Sequence, residues 1–513
     1  MHFECINDLF ETGFDNDKLP ILYLENQNAK IAVKTPYGIT ERRSISNVVM
    51  QGTVWGSLFC TATMDKLGKL IYENEELMYK YKNAVNIPSL GMVDDILSIQ
   101  KCSTDTVKIN AVINAFIESK KLTLSKSKCN RIHISKRANK SVNECHVVKV
   151  HDTQMTNSDS EKYLGDILDK SGKIRATIED RQKKGYGLVA EIKAILNEIP
   201  LGQYKMEIGL HLRQAMLING MLYNSEAWHA ISEEELRMLE TVDEHLLRSL
   251  VNGHSKTSLE FLYLEAGAIP IRFIISSRRL MFLQTILKRS EDELTRRVYM
   301  AQKDDPVKGD FVNLIKSDLE MFDGSIDQEY IQLKSKSSLK EEIKEKIRKA
   351  AFKYLKEKQN GHSKIKGIQY THLQTQTYMT SPLFSNEEVN LLHGLRSRSV
   401  NVKCNFRTRY QNNLLCPLCE KEDDDQPHLL NCVELLNMFK DEDIIKVKSV
   451  YQDIFEDDQK QKQITHLISR LLHIRNQLVD KNLCRLADPS MSDGVLENSV
   501  NLLDSTVHYS SGK

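Results

Sequence analysis

The chain has 513 residues, a formal net charge of +1 and 41% hydrophobic residues. This length suits about three domains of ~150 residues each, and the composition is that of an ordinary globular protein. A charge so close to zero excludes a globally basic surface, so any nucleic-acid-binding surface must be a local patch. No apolar run reaches the ~18 residues that a bilayer-spanning helix needs, so no membrane partner is expected.

The cysteines and the N-terminus indicate a compartment. Ten cysteines are spread along the chain, and the first residues lack the basic-then-apolar form of a secretion signal. We therefore expect mostly reduced thiols in an intracellular protein, and the sequence does not choose between nucleus and cytoplasm. The oligomeric state is left open.

The N-terminal part predicts a helix, a turn over residues 12–17 and a second apolar segment over 19–33. The turn contains Asp15 and Asp17, and because Lys-Leu-Pro follows rather than a strand, we interpret it as solvated. A strand is predicted over residues 45–50. Gln51 and Gly52 then open a helix that reaches about residue 70. Glycines at such a turn let the backbone approach a ligand, and the helix N-terminus favours phosphate; the alternative is a plain Gly-rich connector.

Two adjacent carboxylates, Asp94 and Asp95, interrupt an apolar run over residues 89–100. Apolar residues on both sides predict a hairpin with the pair at its tip. Paired carboxylates are suitable ligands for divalent cations. The alternative is a simple turn between two short strands.

Helical signals dominate the rest of the chain. One apolar stripe over a predicted helix consists of Ile109, Val112, Ile113, Phe116 and Ile117. Lys128 lies beside a predicted strand at 131–134, and Tyr163-Leu164-Gly165 is typical of a tight hairpin. Further helices are predicted over 174–199, 203–223, 232–251, 271–289 and 338–359. Residues 303–337 are expected to form a mobile connection, and residues 488–513 a disordered tail.

The order of these parts resembles the palm and thumb of reverse transcriptases encoded by non-LTR retrotransposons, over about residues 1–300. A Gln-Gly turn opens a helix, an Asp-Asp hairpin follows about forty residues later, and a helix, a Lys-bearing strand and Tyr-Leu-Gly come before an all-helical region. The linked order is more specific than any single motif.

The resemblance implies an RNA-directed DNA polymerase that uses Mg²⁺ or Mn²⁺, an RNA template, a DNA primer and deoxynucleoside triphosphates. It implies that Asp94 and Asp95 are the catalytic metal site and that Gln51 and Gly52 line the pocket for the nucleotide and the templating base. It further implies that Lys128 contacts the departing pyrophosphate or donates a proton to it, and that Tyr163, Leu164 and Gly165 form the primer grip.

Three departures from the family pattern affect this prediction. Gly56-Ser57 stands where the family often has Ser-Pro, and Met92 replaces the usual aromatic residue before the Asp pair. The two-metal mechanism also needs an aspartate on a second strand, and no aspartate before Gln51 lies in a buried β run. We therefore expect an N-terminally truncated polymerase with little or no activity. The alternatives are an inactive remnant that binds nucleic acid, and a helical scaffold in which Asp-Asp is only a turn.

A second motif lies near the C-terminus. Cys416, Cys419, His428 and Cys432 have the Cys-x2-Cys…His-x3-Cys spacing of a tetrahedral zinc set. Three thiolates and one imidazole leave no open position, which predicts a structural Zn²⁺; similar knuckles occur near the C-termini of non-LTR retrotransposon proteins. The alternative is four reduced residues in a loop.

A basic stretch precedes this cluster. It consists of Arg396, Arg398, Lys403, Arg407 and Arg409, interleaved with Phe406 and Tyr410. Such a pattern is typical of nucleic-acid backbone binding, whereas the acidic loop over 420–425 is expected to repel phosphate. The alternative is a solvated basic face.

The sequence as a whole predicts an α+β fold with five consecutive segments. These are a partial polymerase palm with an antiparallel sheet and packed helices at 1–170, a helical thumb-like region at 171–300, a helical connector at 301–390, the basic stretch with its zinc knuckle at 391–440, and short helices with a disordered tail at 441–513.

Overall fold

The computed structural model describes residues 2–26, 30–44, 55–125, 128–134, 149–150, 153–198, 204–251, 253, 257–322, 326–365, 368–407, 413–429, 431–437, 462 and 465–477. Several predictions lie outside these described residues: the strand at 45–50, Gln51 and Gly52, Arg409 and Tyr410, and the tail at 488–513.

Helices make up most of the described chain. They are α1 (His2–Glu11), α2 (Leu19–Asn26), α3 (Gly56–Tyr72), α4 (Ser103–Lys120), α5 (Arg175–Glu198), α6 (Lys205–Leu212), α7 (Asn219–Met221), α8 (Glu233–Leu250), α9 (Leu259–Ala266), α10 (Ile271–Leu287), α11 (Leu294–Asp304), α12 (Phe311–Glu320), α13 (Gln328–Leu333), α14 (Lys336–Asn360), α15 (Thr377–Thr380), α16 (Asn386–Arg396), α17 (Gln426–Leu429) and α18 (Val433–Leu436). A π-helical stretch (Arg213–Ile218) joins α6 to α7. Across the described ranges, none of these helices combines the length and apolarity that crossing a membrane requires.

The strands are short. They are β1 (Lys30–Ile31), β2 (Lys34–Thr35), β3 (Gly38–Ile39), β4 (Arg43–Ser44), β5 (Tyr79–Tyr81), β6 (Val85–Ile87), β7 (Leu90–Met92), β8 (Asp95–Leu97), β9 (Asn130–Arg131), β10 (Lys149–Val150), β11 (Thr153–Gln154), β12 (Thr156–Asn157), β13 (Ser160–Tyr163) and β14 (Asp166–Asp169). Within the described residues they form two-stranded ladders, all antiparallel except β9 with β12. The fold is thus α+β as predicted, but these ladders are separate, and the described residues do not join them into the continuous palm sheet that we expected.

The chain divides into two compact units. Unit 1 contains Met1–Asp180, Asn224–Glu235 and Arg278–Lys340, and unit 2 contains Arg181–Tyr223, Leu236–Ser277 and Glu341–Lys513. This interleaved division differs from the five consecutive segments predicted from the sequence.

Unit 1 has two apolar clusters around α3. In the first, Ile6 and Leu9 of α1 and Leu22 of α2 pack with Phe59. In the second, the predicted stripe on α4 packs against the far end of α3. Because a buried carboxylate needs a charged partner, Asp8 of α1 accepts from Lys66 of α3 (2.5 Å) and from Lys120 of α4 (2.7 Å). These lysines lower the pKa of Asp8 although its burial opposes the shift.

The segment 303–337 was predicted as a mobile connection, but its described residues (303–322 and 326–337) are folded within unit 1. It contains α12 and α13, which bury Ile315 and Ile331. Arg279 of α10 donates two hydrogen bonds, of 2.7 and 2.8 Å, to the buried Asp318. The prediction of mobility was wrong, because the segment is rich in charged residues and its few buried apolar residues were not recognised.

Unit 2 is a helical core with buried ion pairs. Residues of the π-helical stretch and of α8 are fully buried, including Leu217, Ile218 and Val242. Arg213 donates to both oxygens of Asp243 at 2.6 Å, and the hydroxyl of Tyr263 donates to the same carboxylate at 2.7 Å. A bidentate pair with a third donor satisfies a carboxylate that burial would otherwise disfavour.

Candidate functional site

Asp94 and Asp95 lie at the tip of a β-hairpin in unit 1 whose turn has two residues. β7 and β8 pair antiparallel with Met92 opposite Asp95, so Val93 and Asp94 form the turn, as predicted. Val93 has φ +59°, a left-handed conformation that is unusual for a β-branched residue and costs on the order of 1–3 kcal/mol. Such strain persists only where the surroundings enforce it, and it is common in functional turns. Both carboxylates are exposed to solvent.

A second strained hairpin contacts the first through one side chain. β13 and β14 enclose a turn in which Leu164 has φ +47° and Gly165 has φ +95°. Two positive φ angles are the signature of a type I′ hairpin turn, which favours Asn-Gly rather than Leu-Gly. The hydroxyl of Tyr163 donates to the carbonyl oxygen of Leu90 at 3.4 Å. Burial, and next the nearby charge of Asp95, raise the pKa of Tyr163. The predicted Tyr-Leu-Gly hairpin therefore contacts the Asp-Asp hairpin.

Among the described residues, Lys128 is the one further member that the sequence predicted for this site. Lys128 is exposed in a short turn before β9. Within the same residues, no third carboxylate, histidine or cysteine completes a metal-binding group with the two aspartates. Gln51 and Gly52 fall in the part of the chain that is not described.

Cys416, Cys419, His428 and Cys432 form a group in unit 2 that can hold a metal ion, with all four candidate ligand atoms within 4.8 Å of one another. The sulfurs of Cys416 and Cys432 are 3.8 Å apart, and the sulfur of Cys419 is 3.4 Å from Nε2 of His428. Zn–S bonds of about 2.3 Å and Zn–N bonds of about 2.0 Å in a tetrahedron require separations of about 3.8 and 3.5 Å. The distances therefore suit a tetrahedral ion of zinc size.

The surroundings orient these ligands. Nδ1 of His428 lies 2.9 Å from Oε2 of Glu422, so a proton on Nδ1 would leave Nε2 free to bind a metal. Although burial opposes it, the backbone N–H groups of Lys421 and Glu422 lower the pKa of Cys419 to about 7. Burial raises the pKa of Cys432 to about 12. A divalent cation would reverse that shift, because it stabilises the thiolate directly.

The acidic loop between the ligand pairs has a structural role that the sequence analysis did not foresee. Asp424 is buried, and its side chain accepts from the backbone N–H of Lys403 at 2.8 Å and from the guanidinium of Arg475. Its own backbone binds Leu414 and Cys404. Asp424 therefore joins the loop to the basic stretch and to the helical segment 465–477, and it is not a phosphate-repelling surface charge.

The basic stretch divides into buried and exposed residues. Arg396, predicted to bind nucleic acid, is 7% exposed and donates to both oxygens of Glu265 at 2.8–3.0 Å. That prediction for Arg396 is corrected, because its guanidinium is buried in an ion pair. Arg398 and Arg407 are exposed, and Lys403 is half-buried.

Several residues of these sites carried no local sequence signal. Asn224 and Trp228, which donate to the Tyr-Leu-Gly hairpin, lie about 60 residues beyond it. Glu265 lies 131 positions before its partner Arg396. Glu422 is one of several acids in its loop, and only its position six residues before His428 could have suggested a contact.

No family model matches the chain, and no curated protein matches it.

Proposed function

We propose that unit 1 contains the metal-binding hairpin of an RNA-directed DNA polymerase related to those of non-LTR retrotransposons. The observation that carries the proposal is the contact between two strained hairpins. One presents Asp94 and Asp95 to solvent, and the other brings Tyr163 of Tyr-Leu-Gly against it. The two motifs lie about seventy residues apart in the sequence and are in contact in the structure. Their order along the chain is the order found in the polymerase family.

The proposed chemistry is addition of a deoxynucleotide to a primer on an RNA template. Asp94 and Asp95 would hold Mg²⁺ or Mn²⁺, and the bound cation would supply electrostatic stabilisation of the transferring phosphate. In this proposal Tyr163, Leu164 and Gly165 contact the primer, Gln51 and Gly52 line the nucleotide pocket, and Lys128 contacts pyrophosphate. Because two carboxylates on one hairpin hold a metal weakly, we expect slow extension that requires a high metal concentration.

For unit 2 we propose a structural Zn²⁺ at Cys416, Cys419, His428 and Cys432. The closed donor set and the tetrahedral distances support it. We also propose that the exposed Arg398 and Arg407, with Lys403 and Arg409, bind nucleic-acid phosphates, and that the helices of the thumb-like region contribute to this binding. If neutralising these side chains left both the affinity and its salt dependence unchanged, the phosphate-binding role would be wrong.

A second candidate function is nucleic-acid binding without polymerisation. The specific observation in its favour is that, among the described residues, no third acid completes the Asp94-Asp95 pair as a metal site. In that case the chain would bind a primer–template and would not extend it.

Primer extension on an RNA template separates the two candidates. The unmodified chain, Asp94→Asn and Asp95→Asn are compared in binding and in extension, with Asp17→Asn as the control because Asp17 lies in an exposed turn. The proposal predicts metal-dependent extension that only the hairpin variants lose. Binding without extension by the unmodified chain would support the second candidate, and neither binding nor extension would contradict both.

A further inference from the structure

The strained turn of the Tyr-Leu-Gly hairpin accepts hydrogen bonds from a second turn in unit 1. The side-chain N–H2 of Asn224 donates to the carbonyl oxygen of Leu164 at 3.1 Å and to Oδ2 of Asp166 at 3.2 Å. Asn224 itself has φ +63°, which an asparagine tolerates better than most residues. Its amide therefore binds the hairpin on both sides of Gly165.

Trp228 provides a second contact to the same hairpin. Its side chain is buried, and Nε1–H donates to Oδ1 of Asp166 at 3.4 Å. Both oxygens of Asp166 are thus bound by residues of one turn, since Oδ2 accepts from Asn224. Residues 224–228 are called the 224–228 clamp below.

The clamp acts on a turn whose sequence is poorly suited to its conformation. Leu164 is 42% exposed, so it gains little from packing, and a left-handed leucine costs roughly 1–2 kcal/mol. Asparagine at this position would fit the turn without such a cost. An exposed, strained leucine next to Tyr163 is the type of feature that functional turns retain.

We propose that Asn224 and Trp228 are positioning residues that hold the Leu164 turn, and with it Tyr163, in place for binding the 3′ end of a primer strand. This inference rests on the proposed function. Asn224 and Trp228 act through the hairpin and do not themselves touch the nucleic acid. Without the clamp, the Leu164 turn relaxes and Tyr163 loses its fixed place at the Asp94-Asp95 hairpin.

The test uses the full chain with Asn224→Gly, which keeps the backbone conformation accessible but lacks the amide, and with Trp228→Phe, which keeps a buried ring but lacks the N–H donor. Ala227→Ser is the control, because Ala227 is exposed in the same turn. Hydrogen exchange is measured for peptides that span residues 163–166, and primer–template affinity and the thermal unfolding midpoint are measured for each protein.

We expect Trp228→Phe, which loses one hydrogen bond, to exchange about fivefold to tenfold faster in this hairpin. Asn224→Gly, which loses two, should exchange faster still with an unchanged unfolding midpoint, and both variants should bind primer–template more weakly. Adding Leu164→Asn to Asn224→Gly should restore slow exchange, because asparagine removes the strain. Unchanged exchange in both clamp variants would overturn the inference, and so would faster exchange with unchanged affinity. If the unmodified chain binds no primer–template, the proposed function fails, and the exchange comparison still decides whether the clamp exists.

Discussion

Arg396 and Arg398 lie two positions apart and have opposite environments. Arg396 is buried against Glu265, whose carboxylate also accepts from the hydroxyls of Tyr370 and Tyr378. Burial would raise the pKa of Glu265, but the charge of Arg396 and these hydrogen bonds lower it. Arg398 is exposed. The sequence gives no indication of which of the two arginines is buried, because burial depends on the fold.

The first prediction is that Arg396→Gln lowers the free energy of unfolding by about 3–5 kcal/mol, because Glu265 is left as an unpaired buried charge. Arg398→Gln should change that free energy by no more than about 0.5 kcal/mol. Urea denaturation of both variants measures the difference. Equal stabilities for the two variants would contradict the buried ion pair.

The second prediction concerns His393, which is buried on α16 beside Phe261. Neither ring nitrogen has a hydrogen-bond partner in the described part of the chain. Burial lowers the pKa of His393 to about 4; the charges of Arg396 and Arg248 act in the same direction, and that of Glu265 opposes them. In the unfolded chain a histidine has a pKa of about 6.5. Between these values the unfolded state binds a proton that the folded state does not.

Stability should therefore fall as the pH drops from about 6.5 to 4, by about 3 kcal/mol for this residue. Above pH 6.5 both states are neutral at this position and no effect is expected. The measurement is the free energy of unfolding as a function of pH for the unmodified chain and for His393→Phe; contributions from other groups cancel in the comparison. Parallel curves for the two proteins would show that His393 is not buried in its neutral form.

The third prediction concerns Glu422, which lies 2.9 Å from Nδ1 of His428. Glu422→Gln should weaken metal binding about 10-fold to 100-fold, because the carboxylate fixes the ring and makes Nε2 a better ligand. Glu420→Gln is the matched control, since Glu420 is exposed in the same loop. Competition between the protein and a zinc chelator measures both affinities, and equal values would exclude this role for Glu422.

At the scale of elements, the metal loop and the helical segment 465–477 are joined through Asp424 and Arg475. Structural zinc supplies about 10–16 kcal/mol in small metal domains, so the order of this loop should depend on the ion. The loss of the ion should then also break the contact between Asp424 and the guanidinium of Arg475.

The fourth prediction follows from this connection. Removing zinc with a chelator should speed hydrogen exchange in residues 465–477, whereas exchange in α4 of unit 1 should stay unchanged. Asp424→Asn should have the same effect on residues 465–477 with zinc still bound. If neither zinc removal nor Asp424→Asn changes the exchange rate of residues 465–477, the metal loop does not stabilise this segment.

The longer helices could be predicted because their signals are local. The apolar stripe of α4 repeats with helical spacing. Ser232 and Glu235 form a capping box at the start of α8, in which the backbone N–H of each donates to the side chain of the other, at 2.8 and 3.2 Å. The Cys3His group was also predictable, since its spacing is itself the signal. The helices α12 and α13 were missed because Ile315 and Ile331 stand among many charges, and their burial depends on contacts far away in the sequence.

At the scale of the whole molecule, the two units interleave segments that are distant in the chain. Asn224 and Trp228 belong to the segment predicted as thumb-like, yet they bind the hairpin of Asp166 in unit 1. Such partners cannot be inferred from periodicity or spacing, because nothing in a local window specifies a contact 60 residues away. The same reason explains why the separation into units was not predicted.

We propose that the Asp94-Asp95 hairpin belongs to a polymerase that copies RNA. The most direct test is incorporation of a single deoxynucleotide onto a DNA primer annealed to RNA templates that differ only in the next base, with Mg²⁺ or Mn²⁺ present. We predict slow incorporation that follows the templating base and that Asp94→Asn abolishes without loss of primer–template binding. Incorporation that ignores the template or survives Asp94→Asn would contradict the claim, and so would binding with no incorporation at all.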